Sequence, residues 1–186
     1  MQVNHEKEFH TTITKDLYEL LLSKYDFDYS LNIVNTYFSL IDTRYMLRLR
    51  STNESEFELT LKINNENENL ELNISLTQDE YLAIKDDPTL VNKYMNEYFK
   101  KYQINLKNIK IIGDLRCFRY EKRYKDYLLV VDKNSYNNFI DYDIEVESDD
   151  INYSKEIIIK IFSELHYINP LNIDSKSKRF LKSFNK

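Results

Sequence analysis

Along most of this chain apolar and polar residues alternate one for one, and that two-residue period restricts it to a fold built mainly from β-strands. In Tyr45–Ser51, Met46, Arg48 and Arg50 oppose Leu47 and Leu49; in Glu56–Ile63, Glu58, Thr60 and Lys62 oppose Phe57, Leu59 and Leu61. Asn69, Glu71 and Asn73 alternate with Leu70, Leu72 and Ile74. Cys117, Arg119, Glu121 and Arg123 share one face opposite Phe118, Tyr120, Lys122 and Tyr124, and Asp141, Asp143, Glu145 and Glu147 oppose Ile140, Tyr142, Ile144 and Val146. Further strands are expected at His5–Thr11, where Glu6, Glu8 and His10 share a face, at Val34–Leu40 and at Leu128–Asp132. The total is about eight strands.

Helices are expected between them. Thr14 is a plausible N-cap for a helix reaching Lys24, with Leu17, Leu20 and Leu21 at helical spacing and Asp16 in its first turn. Thr77 followed three residues later by Glu80 is a capping-box signature. Pro88 interrupts that helical region, and Leu90, Val91, Tyr94, Met95, Tyr98, Phe99 and Tyr102 then trace an apolar stripe. Tyr153–Leu165 reads as an amphipathic helix and Ser175–Phe184 as a short basic one. No linker, repeat or composition break divides the 186 residues, so a single domain over 1–186 is expected.

Composition narrows the partners. With 26 basic and 31 acidic residues, a net charge of −5 offers no global field for nucleic acid or an anionic membrane. No apolar stretch is long enough to span a bilayer. One cysteine, Cys117, and no apolar leader point to a reducing cytoplasm. Three scattered histidines make no zinc-type spacing.

The charged strand faces then admit two readings. An antiparallel sheet can bury one face and wet the other. Alternatively the sheet closes into a barrel with helices packed outside, so that the charged faces line its interior. A lumen of both signs has a use in the second case. Arg and Lys donate charge-assisted hydrogen bonds to phosphate oxygens, and carboxylates hold Mg²⁺ or Mn²⁺, so a buried polyphosphate is neutralised from both sides.

The order of these segments resembles the CYTH superfamily, or triphosphate tunnel metalloenzymes, and within it the small Gram-positive bacterial branch. The N-terminal ExExK signature of the family matches Glu6-Lys7-Glu8-Phe9-His10, with His10 in place of lysine. Leu47-Arg48-Leu49-Arg50 resembles its paired-arginine strand and Leu59-Thr60-Leu61-Lys62 its lysine strand; Glu71 matches an acidic position. The stretch from Gly113 to Glu121 resembles a later strand ending in an arginine, here Arg119, with Cys117 where the family often has a basic residue; Asp132 and Asp141–Glu147 are similar to its late Asp and ExE elements.

The resemblance implies an all-β core with flanking helices, an eight-stranded antiparallel barrel forming a triphosphate tunnel. It implies Mg²⁺ or Mn²⁺ on Glu6, Glu8, Glu145 and Glu147, phosphate contacts from Arg48, Arg50, Lys62 and Arg119, and supporting acidic roles for Glu71 and Asp132. His10 joins Glu6 and Glu8 as a catalytic candidate, either as a cation on phosphate or as a neutral base for water. Glu58, Glu121, Arg123, Asp141 and Asp143 read at least as well as rim or solvated positions. Lys176 to Phe180 is similar to the family's terminal basic segment, or is a solvated helix face with Phe180 in the core. The expected activity is hydrolysis of a triphosphate-containing small molecule, inorganic tripolyphosphate first, since no segment suggests a base or thiazole pocket. A class IV-type adenylyl cyclase, a thiamine triphosphatase and a non-catalytic polyphosphate or nucleotide binder are the alternatives, acting as monomer or homodimer.

Overall fold

Both faces of the strand over Glu56–Asn65 are covered, since Leu59 and Leu61 are fully enclosed and so is Thr60 between them. A half-solvated sheet would expose Thr60, so its polar face is not a wetted surface. The computed structural model of the protein describes residues 2–4, 8–40, 42, 44–65, 68–168 and 174–185. In chain order the strands are β1 (Gln2–Asn4), β2 (Glu8–Ile13), β3 (Tyr29–Phe38), β4 (Tyr45–Thr52), β5 (Glu56–Asn65), β6 (Glu68–Leu76), β7 (Ile111–Arg123), β8 (Leu128–Tyr136) and β9 (Phe139–Glu147). The helices are α1 (Lys15–Lys24), α2 (Gln78–Asp86), α3 (Val91–Lys101), α4 (Ile151–Glu164) and α5 (Lys176–Lys182). Hydrogen bonding runs in the order β1-β6-β5-β4-β3-β7-β8-β9-β2. Nine strands are described where about eight are expected: β2 covers the described part of the expected His5–Thr11 strand, and β1, which pairs with β6, is additional to those expected.

The antiparallel sheet with flanking helices divides into two compact units, residues 1–6 with 33–115 and residues 7–32 with 116–186. In the first, the apolar faces of β4, β5 and β6 supply Leu47, Leu49, Leu59, Leu61, Ile63 and Leu72, and Ile84 of α2 with Val91, Met95 and Phe99 of α3 pack on them. Each such side chain contributes roughly 1.5–3 kcal/mol by leaving water. Thr77 caps α2 as its sequence indicates: its hydroxyl accepts from the Glu80 N–H, and the Glu80 carboxylate accepts from the Thr77 N–H. In the second unit, Leu129 and Val131 of β8 and Ile144 and Val146 of β9 meet Leu17 and Leu21 of α1 and Ile158, Ile161 and Phe162 of α4. Among the described residues no helix is long and apolar enough to cross a membrane.

Several strand limits differ from those expected, β7 beginning at Ile111 among them, and two matter most here. β3 begins at Tyr29 rather than Val34, and β8 continues past Asp132 to Tyr136. The cause of the second is the turn. Tyr136 pairs directly with Phe139, and Asn137 and Asn138 between them have φ of 43° and 64°. A two-residue hairpin turn with both central residues left-handed suits asparagine nearly as well as glycine, of which this chain has one.

Candidate functional site

The polar faces follow from strand register. In the first unit, Arg48 of β4 stands opposite Thr60 of β5, which stands opposite Asn73 of β6, and Lys62 stands opposite Glu71. Arg48 Nη2 donates to Thr60 Oγ1 at 3.1 Å and lies 3.6 Å from Glu71 Oε1. Lys62 Nζ lies 2.8 Å from Glu71 Oε2, while Asn73 Nδ2 donates to Glu71 Oε1 at 2.9 Å. Arg50 Nε donates to Asn35 Oδ1 at 3.0 Å. The structure therefore brings Arg48, Lys62 and Glu71 together, with the carboxylate of Glu71 holding both cations in place. Arg48 is 5% exposed, and its Nε is buried with no partner among the described residues. A buried guanidinium N–H left open in this way is a donor available to a bound anion.

The second unit carries the acidic face. Glu8, His10 and Thr12 of β2 stand opposite Glu147, Glu145 and Asp143 of β9. On the other side Asp143 pairs with Asp132 of β8, which pairs with Arg119 of β7. Carboxylate oxygens of Glu8, Glu145 and Glu147 all lie within 4.8 Å of one another. His10 Nδ1 is 3.6 Å from Glu8 Oε1. Arg119 donates through Nε and Nη2 to both oxygens of Asp132 at 3.0 and 2.9 Å, and through Nη2 to Glu145 Oε2 at 2.9 Å. Its Nη1 is 3.7 Å from Glu121. Glu6 lies outside the described residues.

Helix α5 closes over this face. Ser175 caps it by accepting from the Lys178 N–H. The helical period divides its charges. Lys178 and Lys182 point to solvent and pair with Asp174 at 2.6 Å each, whereas Lys176 and Arg179 reach the carboxylates. Lys176 Nζ contacts Glu145 Oε1 and lies 2.8 Å from Asp132 Oδ2. Arg179 donates to both oxygens of Asp141, at 2.9 and 3.2 Å, and to Asp143 Oδ2 at 2.5 Å. Tyr136 Oη donates to Asp141, and Asn134 Nδ2 donates to Asp141 and to Asp143. Phe180 is fully buried against Tyr136, its ring centroid 5.9 Å away.

Asp143 and Glu121 are buried rather than rim positions, Asp143 completely. The solvated-helix alternative holds for Lys178 and Lys182 but not for Lys176 and Arg179. Alternation already set Asp143 beside Glu145 on one face. The missing information was what covered them, since Arg179 lies 36 residues from Asp143 and no local pattern links the two.

Burial and charge act differently on these groups. Burial alone would push Asp132 up, but Arg119 and Lys176 outweigh it and hold its carboxyl well below the usual range. Asp143 goes the other way: burial dominates over Lys176 and Arg179 and raises it. Glu147 is raised as well, by burial first and then by Glu8 and Glu121, against the pull of Arg119. Cys117 is pushed up by burial and by Asp132, so it remains a thiol, unsuited to metal ligation or nucleophilic attack.

Glu8, Glu145 and Glu147 fit a hard divalent cation. Such ions take carboxylate oxygens at about 2.0–2.1 Å, so ligands on opposite sides stand about 4 Å apart, the scale of this cluster. Arg48, Arg50 and Lys62 in the first unit share their face with Glu56, Glu58 and Glu71, three cations among three carboxylates, and the guanidinium groups are the donors that this face offers an anion.

A model of the CYTH domain matches residues 4–180. No curated protein sequence matches the chain. Among solved structures, a candidate adenylate cyclase from Bacillus halodurans is similar over 97% of this chain and 99% of its own, at 24% identity and a TM-score of 0.80. A candidate adenylyl cyclase from Hippeastrum, described as having a dominant triphosphatase activity, is similar over 98% and 96%, at 16% identity and a TM-score of 0.79. A Pyrococcus horikoshii protein matches over 92% and 96%, at 19% identity and a TM-score of 0.60. At these identities the likeness is one of fold, and the fold is the tunnel fold expected from the sequence. With its acidic and basic strand faces and a family match over nearly its whole length, the chain belongs to the CYTH domain family.

Proposed function

We propose that this protein is a divalent-metal-dependent triphosphatase whose preferred substrate is inorganic tripolyphosphate. The observation that carries this reading is the convergence of Glu8, Glu145 and Glu147 beside Arg119 in a CYTH domain. Those three carboxylates, with Glu6, hold Mg²⁺ or Mn²⁺, which when bound supplies charge neutralisation at the phosphates and the leaving group. Arg48, Arg50, Lys62 and Arg119 fix phosphate oxygens so that water attacks in line. Glu71 orients Arg48 and Lys62, and Asp132 orients Arg119, through the bonds described above. The dominant triphosphatase activity of the Hippeastrum protein supports hydrolysis over cyclisation. We place the chain in the small Gram-positive bacterial branch, acting as one domain over 1–186 in the cytoplasm, as a monomer or homodimer, with no nucleic-acid partner.

The test is phosphate release from tripolyphosphate, ATP and thiamine triphosphate with Mg²⁺ or Mn²⁺. Metal-dependent release, fastest from tripolyphosphate, is expected. Cyclic AMP formed from ATP would replace the hydrolase with a cyclase, and tight binding without turnover would make the protein a binding module.

His10 lies beside Glu8 and opposite Glu145 in register, next to the carboxylates and not among them. We assign it to phosphate as a cation, the role of the lysine it replaces. His10→Lys should therefore retain activity, because a lysine offers phosphate the same positive charge. A pH–rate profile identical in His10→Ala and the native protein would remove His10 from the mechanism.

A further inference from the structure

Both oxygens of Glu145 are occupied. Oε2 accepts from Arg119 at 2.9 Å and Oε1 is in contact with the Lys176 ammonium. Glu145 is also the buried member of the Glu8, Glu145 and Glu147 cluster. A cation that binds there must take an oxygen from one of the two residues. They are not equally able to yield. Arg119 is a planar fork bonded at the same time to both oxygens of Asp132 and to Glu145, on the central part of a strand. Lys176 is a point charge on a flexible four-carbon stem, and the Asp132 oxygen it also contacts, at 2.8 Å, keeps its bond from Arg119 when the ammonium leaves.

The helix that carries Lys176 does not depend on it for docking. Arg179 bonds to Asp141, Asp143 and the Asp174 carbonyl, Phe180 is fully buried, and Asn137 Nδ2 donates to Ser183 Oγ at 2.7 Å. The Lys176 side chain can therefore swing away while α5 stays in place. We infer that Lys176 is a built-in counter-ion that competes with the divalent cation for Glu145, so that metal entry exchanges one ammonium for one metal ion. This rests on the reading of Glu8, Glu145 and Glu147 as the metal ligands. The exchange also selects for charge: a monovalent ion replacing the ammonium leaves the net charge of the cluster unchanged, whereas a divalent ion lowers its repulsion by one unit.

The experiment is a Mn²⁺ titration of the full chain without substrate, comparing the native protein with Lys176→Gln and with Lys178→Gln. Lys178 is on the same helix but pairs with Asp174 at the surface, so it controls for lost charge alone. Lys176→Gln should bind Mn²⁺ about 10-fold or more tightly than the native protein, a change of the size that groups around metal ligands produce, and Lys178→Gln should match the native protein. In a second measurement on the native protein alone, labelling of the Lys176 amine by an amine-reactive reagent, mapped by mass spectrometry, should rise when Mn²⁺ is added. Native protein that binds Mn²⁺ as tightly as Lys176→Gln, or Lys176 labelling indifferent to Mn²⁺, overturns the exchange and leaves the metal site standing. Mn²⁺ bound by none of the three overturns both.

Discussion

Glu8→Gln/Glu147→Gln should lower metal-dependent phosphate release from tripolyphosphate by about 10²–10³-fold, the loss typical of deleting an electrostatic contact to the reacting charge. The pair is chosen because the two residues stand opposite each other across β2 and β9, in the cluster that Glu145 completes. Glu147 is 4.0 Å from Arg119, and Glu8 pairs across β2 and β9 at the partly exposed end of the face. Stability should move the other way. Glu147 is raised by burial and by its like-charged neighbours, so its ionised form costs folding free energy near neutrality. Replacing it by a neutral amide should leave the unfolding temperature of the metal-free protein unchanged or higher. The rise in that temperature produced by Mn²⁺ should be lost at the same time. A double variant that retains native turnover would remove these carboxylates from the chemistry.

Arg119→Met should be the most destabilising single change on the acidic face, at about 3–5 kcal/mol, because it leaves the fully buried Asp132 and the nearly buried Glu145 short of a partner. For a chain of this size that is a fall of about 10 °C in unfolding temperature. Its pH dependence follows from the direction of the Asp132 shift. In the native protein Asp132 is held below its ordinary 3.8, so its contribution is present above that value and is lost as pH falls through the lower folded value. Without Arg119, burial is left to act against Lys176 alone and the folded value rises; a raised carboxyl is most favourable below its unfolded value and loses stability as pH increases. Urea unfolding at pH 7 and pH 4.5 should therefore show a smaller gap between native protein and variant at the lower pH. A gap that widens on acidification would mean that Asp132 does not depend on Arg119.

The periodicity of the sequence made most of the sheet legible, because inward and outward residues are separated by one position and a charged face opposite a leucine face cannot be mistaken for a helix. It also identified which residues share a face, Glu145 with Glu147 and Arg48 with Arg50, whereas the pairing of Lys62 with Glu71 came from the register of the structure. Covering of those faces was not legible. Asp143 read as well for a rim position as for a buried one, and Arg179 as well for a solvated helix as for a buried clamp, because the two meet only after the chain has formed β9, α4 and the segment before α5. The extent of β8 was missed for a local reason. Asn137-Asn138 is a left-handed turn written without glycine, and a search for glycine passes over it.

That turn has a bearing on how the protein can change over time. Every carboxylate of β9 stands where it does because Tyr136 pairs with Phe139 and the strands count off in twos from there. Substitution can retune the face one charge at a time. An insertion or deletion of a single residue at Asn137-Asn138 would advance β9 by half a pleat, sending Asp141, Asp143, Glu145 and Glu147 into the apolar layer and delivering Ile144 and Val146 to the polar one. The site is thus encoded in a parity as much as in a set of residues, and length variation should accumulate in the loops outside these hairpins while the two-residue turn keeps its length.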